Sequence, residues 1–123
     1  MNAVDHLVDL DALALLLRPH LDDWARSAAV GPLTWRDEDA AWPQPIERHR
    51  SRVSSPESLG LRLWRGSDEL ELVVWTGGWA DADRFVDGRL EATAPDFTDA
   101  DSAYAAVVDL VAEFLHAAGV DPA

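Results

Sequence analysis

Leu59–Trp79, LGLRLWRGSDELELVVWTGGW, is the stretch on which the reading of this chain turns. Leu61 and Leu63 share one parity, and Leu70, Leu72 and Val74 resume it after Arg65-Gly66-Ser67-Asp68. The segment therefore reads as two hairpin strands with a common apolar face. Gly77-Gly78 marks a reversal after the second strand, because glycine enters the positive-φ conformations that tight turns need. An apolar sheet face must be covered. The amphipathic segments at the two ends of the chain are the ones patterned to do it, which makes this hairpin the floor of the fold.

The first of these segments has candidate caps at Asp9 and Asp11 and places Leu10, Leu13, Leu17, Leu21, Trp24 and Ala28 at steps of three and four. Pro19 falls inside it and lacks the backbone donor of a helix interior, so the pattern predicts a kink or a break. A second short helix would then open at Pro19, with Asp22 and Asp23 in its first turn and Gly31-Pro32 at its end. In the last segment Thr98 and Asp101 resemble a capping box, Ala103, Tyr104, Val107, Val111 and Phe114 belong to a broad apolar face, and Gly119 with Pro122 stops the helix.

Between the ends, Leu33–Arg36 alternates like a short edge strand and Trp42-Pro43-Gln44-Pro45 reads as an extended linker. Ile46–Val53 alternates so that Arg48, Arg50 and Arg52 share one strand face, where pairing across strands with Glu69 and Glu71 is expected. Trp79–Val86 is a strand whose parity splits Trp79, Asp81, Asp83 and Phe85 from Ala80, Ala82, Arg84 and Val86. Asp87-Gly88 is a hairpin signal joining it to Arg89–Ala94, which Pro95 terminates. The order helix, meander, helix predicts an α+β fold in a single domain over 1–123. Its core is an antiparallel β-meander of about four to six strands within 33–94. The N- and C-terminal helical regions, 9–29 and 99–118, pack on one face of it.

At 123 residues such a domain buries roughly two-thirds of its unfolded surface. The chain carries 23 acidic residues against 10 basic ones, all of them arginine, for a net charge of −13. That surface repels nucleic acid phosphate and anionic lipid and speeds encounter with basic partners, so direct nucleic acid or membrane binding is not expected. Base composition or salt adaptation would produce the same acidity. No cysteine is present, which excludes disulfides and thiolate metal sites. Asp5, Asp9 and Asp11 interrupt the first apolar residues with no basic segment ahead of them, so no signal peptide is read and a cytoplasmic location is the expectation.

Catalytic and metal patterns are weak. His6, His20, His49 and His116 stand in no HxxxH or HxH spacing, and His116 reads as a dipole partner near a helix end. Asp81, Asp83 and Asp87 miss both the DxDxDG core and the bidentate Glu of a calcium loop. There is no GxSxG elbow, and Gly77-Gly78 is too short to cradle phosphate. A pair of carboxylates can always be drawn from 23 acids, so such a pair carries no weight. The expectation is a protein that is not an enzyme and needs no cofactor.

Recognition remains. Trp64 shares parity with Arg62, and Trp75 shares it with Glu69 and Glu71, opposite the leucine face. If the helices cover the leucines, an outer face holding Trp64, Trp75, Arg48, Arg50, Arg62, Glu69 and Glu71 is left for a protein partner, since Trp and Arg are enriched in binding hot spots. The same indoles could instead lie on arginine stems in a cation–π lattice that shields an open sheet.

Several short motifs also have a family likeness: Trp42-Pro43, Ser55-Pro56-Glu57-Ser58-Leu59-Gly60, Leu70-Glu71-Leu72-Val73-Val74-Trp75-Thr76-Gly77-Gly78, the alternating acidic strand, Asp87-Gly88 and the last helix. In this order, over about Trp42 to Leu115, the chain resembles the TriTu family of bacterial polymorphic-toxin immunity proteins, with Thr76-Gly77-Gly78-Trp79 in place of the more usual Ser-Gly-Glu. The resemblance implies a small cytoplasmic protein that neutralises a cognate toxin domain by binding it, without a cofactor. Toxin domains that act on nucleic acids are basic, so an acidic inhibitor is steered to them. The contact residues expected are Glu69, Glu71, Trp75, Trp79, Asp81, Asp83 and Asp87, with Trp64 on the same face. The alternative is a nucleic-acid mimic that inhibits a DNA- or RNA-binding protein. It would space its carboxylates along a ridge instead of clustering them around aromatics.

Overall fold

Leucine parity sets the register of the central hairpin: Leu61 stands opposite Leu72 and Leu63 opposite Leu70. A computed structural model describes residues 6–120, so Met1 to Asp5 and Pro122 lie outside the described residues. In chain order the elements are α1 (Leu10–Trp24), β1 (Ala29–Val30), β2 (Thr34–Asp37), β3 (Pro56–Arg65), β4 (Asp68–Trp75), β5 (Trp79–Val86), β6 (Arg89–Thr93) and α2 (Ala100–Ala117). They make one antiparallel sheet in the order β1-β3-β4-β5-β6, with β2 lying beside β1 on the same edge of β3. This is the α+β architecture read from the sequence.

Both helices lie on the leucine face. Leu13 and Leu17 of α1 and Val107, Val111 and Phe114 of α2 form one buried cluster with Leu59, Leu61, Leu63, Leu70, Leu72, Val74, Ala80 and Ala82 of the sheet. Each fully buried Leu, Val or Phe contributes about 1.5–3 kcal/mol relative to exposure. Among the described residues, neither α1 nor α2 lies on the other face of the sheet.

Local chemistry explains where the boundaries differ from those expected. Helix α1 is capped by Asp9, whose Oδ1 accepts from Ala12 N at 3.0 Å, and it runs through Pro19 without a break. Pro19 sits on the solvent side of the helix, and Leu15, whose carbonyl loses its helical donor there, is also exposed, so water can take that donor's place. Asp22 and Asp23 consequently fall in the last turn of α1 and not in the first turn of a new helix. The helical region also stops short of residue 29, because Ala29 and Val30 pair with Trp64 and Leu63 at the sheet edge.

Ile46–Val53 is not a strand. Only Glu47 bridges to β2, and Arg50–Arg52 is a single 3₁₀ turn, so Arg48, Arg50 and Arg52 share no sheet face and do not pair with Glu69 or Glu71. Arg50 instead grips Asp11 with two nitrogens, at 2.7 and 3.0 Å, and lies over the buried Trp35 ring at 5.7 Å. The Asp11 carboxylate holds the Arg50 guanidinium above its ordinary pKa. A bidentate ion pair and an aromatic face outcompete a strand's alternation in this loop.

Helix α2 is capped one residue later than expected. Asp99, not Thr98, accepts from Ser102 N at 2.7 Å, and Ser102 Oγ accepts from Asp99 N at 3.2 Å, a complete capping box. At the other end Gly119 adopts φ +90, its N–H reaches His116 O and the Val120 N–H reaches Leu115 O, the paired bonds of a Schellman stop.

Candidate protein-binding face

Strand register sorts the uncovered face into rows. Arg36, Ser58, Trp75 and Trp79 form the first; Thr34, Gly60, Val73 and Asp81 the second; Arg62, Glu71, Asp83 and Ala92 the third; Trp64, Glu69, Phe85 and Leu90 the fourth. Carboxylates occupy the middle of the face, and aromatic groups close both ends.

At one end Trp75 and Trp79 stack with centroids 5.4 Å apart and planes 20° apart. The Arg36 guanidinium lies over Trp75 at 5.6 Å and over Trp42, from the loop after β2, at 5.7 Å. Arg36 Nε is buried without a hydrogen-bond partner, and Nη1 reaches Ser58 Oγ only at 3.5 Å, so the indole faces are this cation's main company. Trp75 Nε1 donates to Asp81 Oδ2 at 3.1 Å, which orients the first carboxylate of the middle rows.

At the other end Arg62 lies over Trp64 at 5.3 Å and donates from Nε to Glu69 Oε1 at 2.7 Å. Its pKa is raised, first by that hydrogen bond and more weakly by Glu71. Trp64, Trp79, Phe85 and Leu90 are all exposed. Between the two ends Glu71 stands directly opposite Asp83. Among the described residues, Glu71, Asp81 and Asp83 make no ion pair, since the short cation contacts of the chain belong to Glu38, Asp23, Asp11, Glu69 and Glu91.

Of the eight residues expected at a contact, Trp64, Glu69, Glu71, Trp75, Trp79, Asp81 and Asp83 share this face. Asp87 does not join them. It occupies the β5–β6 turn at φ 52, with its backbone N–H on Asp68 Oδ1 at 3.0 Å, so the hairpin holds it away from the acidic rows. Arg36 was missed. Trp35 is 2% exposed and takes the core parity, and that alone turns Arg36 outward toward Trp42 and Trp75. Trp42, Trp64 and Trp75 do lie on arginines, as the lattice alternative requires, whereas Trp79 stacks only on Trp75, and Glu71 and Asp83 between the two ends have no ion-pair partner among the described residues.

No three His, Asp or Glu side chains converge as metal ligands among the described residues, and no described helix is long and apolar enough to cross a membrane. The cleft of about 380 Å³ beside the start of α1 holds the His6–Glu38 contact at 2.7 Å together with Asp9 and Asp11. No family model, curated protein or solved structure gives a significant match to this chain.

Proposed function

We propose that the protein is an acidic inhibitor that neutralises a basic partner by binding it on the uncovered sheet face, most concretely an immunity protein against a cognate toxin domain. The observation that supports this reading is the third row of that face. Glu71 and Asp83 oppose each other without an ion-pair partner among the described residues, because Arg62 beside Glu71 gives its Nε to Glu69, and exposed aromatic groups stand in the flanking rows. Like charges directly opposite in a sheet cost stability, and a cationic partner recovers that cost on binding. Large flat side chains around the charges supply contact area at a small entropic cost. The protein would act in the cytoplasm, without a cofactor and without chemistry of its own.

The nucleic-acid mimic is the weaker reading. Its carboxylates should follow a strip like a phosphate backbone, whereas here Glu69, Glu71, Asp81 and Asp83 sit on two adjacent strands and end against indoles.

The polypeptide encoded beside this chain provides the test. Its C-terminal domain, expressed alone, should arrest growth, and co-expression with this chain should relieve the arrest and yield a soluble complex. The D81R/D83R variant should slow association and flatten its salt dependence. Continued arrest with both proteins soluble would overturn the reading.

A further inference from the structure

The two edges of the sheet are finished differently. On the β2 edge, Trp35 exchanges both backbone bonds with Glu47, at 2.8 and 2.9 Å, and Pro32 interrupts the line between β1 and β2. On the β6 edge no described segment pairs. Register shows which backbone groups are left free there. Val86 and Arg89 flank the two-residue turn and so exchange hydrogen bonds, and the alternation continues to Ala80 N–H on Pro95 O at 3.0 Å. Arg89, Glu91 and Thr93 therefore spend their backbone groups on β5, while Leu90 and Ala92 point theirs outward.

Helix α2 does not reach over this strand, all of whose residues are exposed. A groove of about 460 Å³ lies between them, walled by Thr93, Pro95, Ala106 and Leu110 and carrying Asp109 and Glu113. Those two carboxylates are one helical turn apart, a spacing at which like charges repel, and neither has a cation within ion-pair distance among the described residues.

We propose that the β6 edge accepts an extended strand from a basic protein partner. The strand's backbone bonds Leu90 and Ala92, and its alternate arginine or lysine side chains enter the groove over Asp109 and Glu113. Side chains of the other parity lie beside Leu90 and Phe85 on the acidic face, so edge and face form one continuous surface. Strand addition draws affinity from main-chain bonds and selectivity from alternate side chains. A second copy of this chain is the poorer occupant, because each copy carries −13 and full antiparallel overlap sets Glu91 against its own counterpart. This inference rests on the reading of the protein as a binder of a basic partner.

The test is a titration of the isotope-labelled full chain with a short peptide alternating arginine and valine, followed by amide shifts and hydrogen exchange. Saturable shifts and slowed exchange at Leu90 and Ala92, with shifts at Asp109 and Glu113, are the expected result. A92P removes an N–H that is free in the unbound fold, and it should weaken binding by at least about tenfold. D109N/E113Q should weaken it as well, and serves if A92P does not fold. Shifts confined to Asp81 and Asp83, equal binding of a glutamate–valine peptide, or protection of β6 by self-association without peptide would each overturn the proposal. Loss of the edge site with arrest still relieved in co-expression leaves the inhibitor reading intact, so the two fail separately.

Discussion

Glu71 of β4 and Asp83 of β5 face each other across the antiparallel ladder with Arg62 on the next strand, but the Nε of Arg62 is given to Glu69. Opposed like charges on a sheet cost about 0.2–1 kcal/mol. D83N should therefore raise the urea midpoint slightly at neutral pH while weakening capture of a basic partner. That opposition of stability and binding separates a functional acidic row from ordinary surface charge. If D83N leaves binding unchanged, Asp83 drops out of the contact.

Trp79 tests the aromatic end. It is 39% exposed and stacks on Trp75, so truncation removes contact area without opening the core. W79A should cost about 2 kcal/mol or more of binding to the basic partner proposed above, as a hot-spot aromatic does, and well under that in folding stability. Calorimetric titration beside thermal unfolding reads both. A stability loss as large as the binding loss would return the indole to the lattice that merely shields the sheet.

Much of this surface was legible because β-strand parity is a strict code. Once Leu61, Leu63, Leu70, Leu72 and Val74 are assigned to the core, Trp64, Glu69, Glu71 and Trp75 must face the other way, and Asp87-Gly88 fixes the next hairpin. What was illegible depended on partners distant in sequence. Arg50 leaves an apparent strand for Asp11 and Trp35, and Ala29-Val30 leave an apparent helix for Leu63 and Trp64; no local pattern announces either contact. The β6 edge belongs with these, since its exposure depends on how far α2 reaches.

Asp37 gives a pH dependence. Its carboxylate accepts from the backbone of Ser54 at 2.8 Å, Asp39 at 3.0 Å and Ser55 at 3.1 Å, which pins the loop before β3 to the end of β2. These bonds, the one from Ser54 foremost, hold its pKa below the ordinary aspartate value. A depressed folded-state pKa means stability that is fully present above the unfolded value, about 3.9, and lost as pH falls through the folded value. D37N should be less stable than the parent protein at neutral pH, and the gap should narrow as pH drops below about 4. A gap that stays constant in urea melts down to acid pH would show that the carboxylate's charge contributes nothing.

Gly60 lies under Thr34, and a Cβ there would meet Thr34 Oγ1 at 2.2 Å but Thr34 Cβ at 3.5 Å. G60A should therefore destabilise by about 1–3 kcal/mol through overpacking. T34A removes the clashing oxygen and leaves ordinary contact, so T34A/G60A should recover most of the loss. Additive penalties in that double-mutant cycle would place the cost elsewhere.

The two helices are also joined above the core. His20 Nε2 of α1 meets Tyr104 Oη of α2 at 2.6 Å, and the His20 ring stacks on Trp24 with centroids 5.3 Å apart and planes at 26°. Y104F keeps the ring packed at its present position and removes only the hydroxyl, so it should cost about 0.5–1.5 kcal/mol, the net worth of one hydrogen bond. H20A loses both the bond and the stack and should cost more. The double variant should then cost less than the two single losses combined, because the hydrogen bond is counted in each of them. Chemical denaturation of the four proteins measures the coupling. A value near zero would mean that the helices are held by Leu13, Leu17, Val107 and Phe114 alone, and that the polar clasp could be removed without loosening the cover over the sheet.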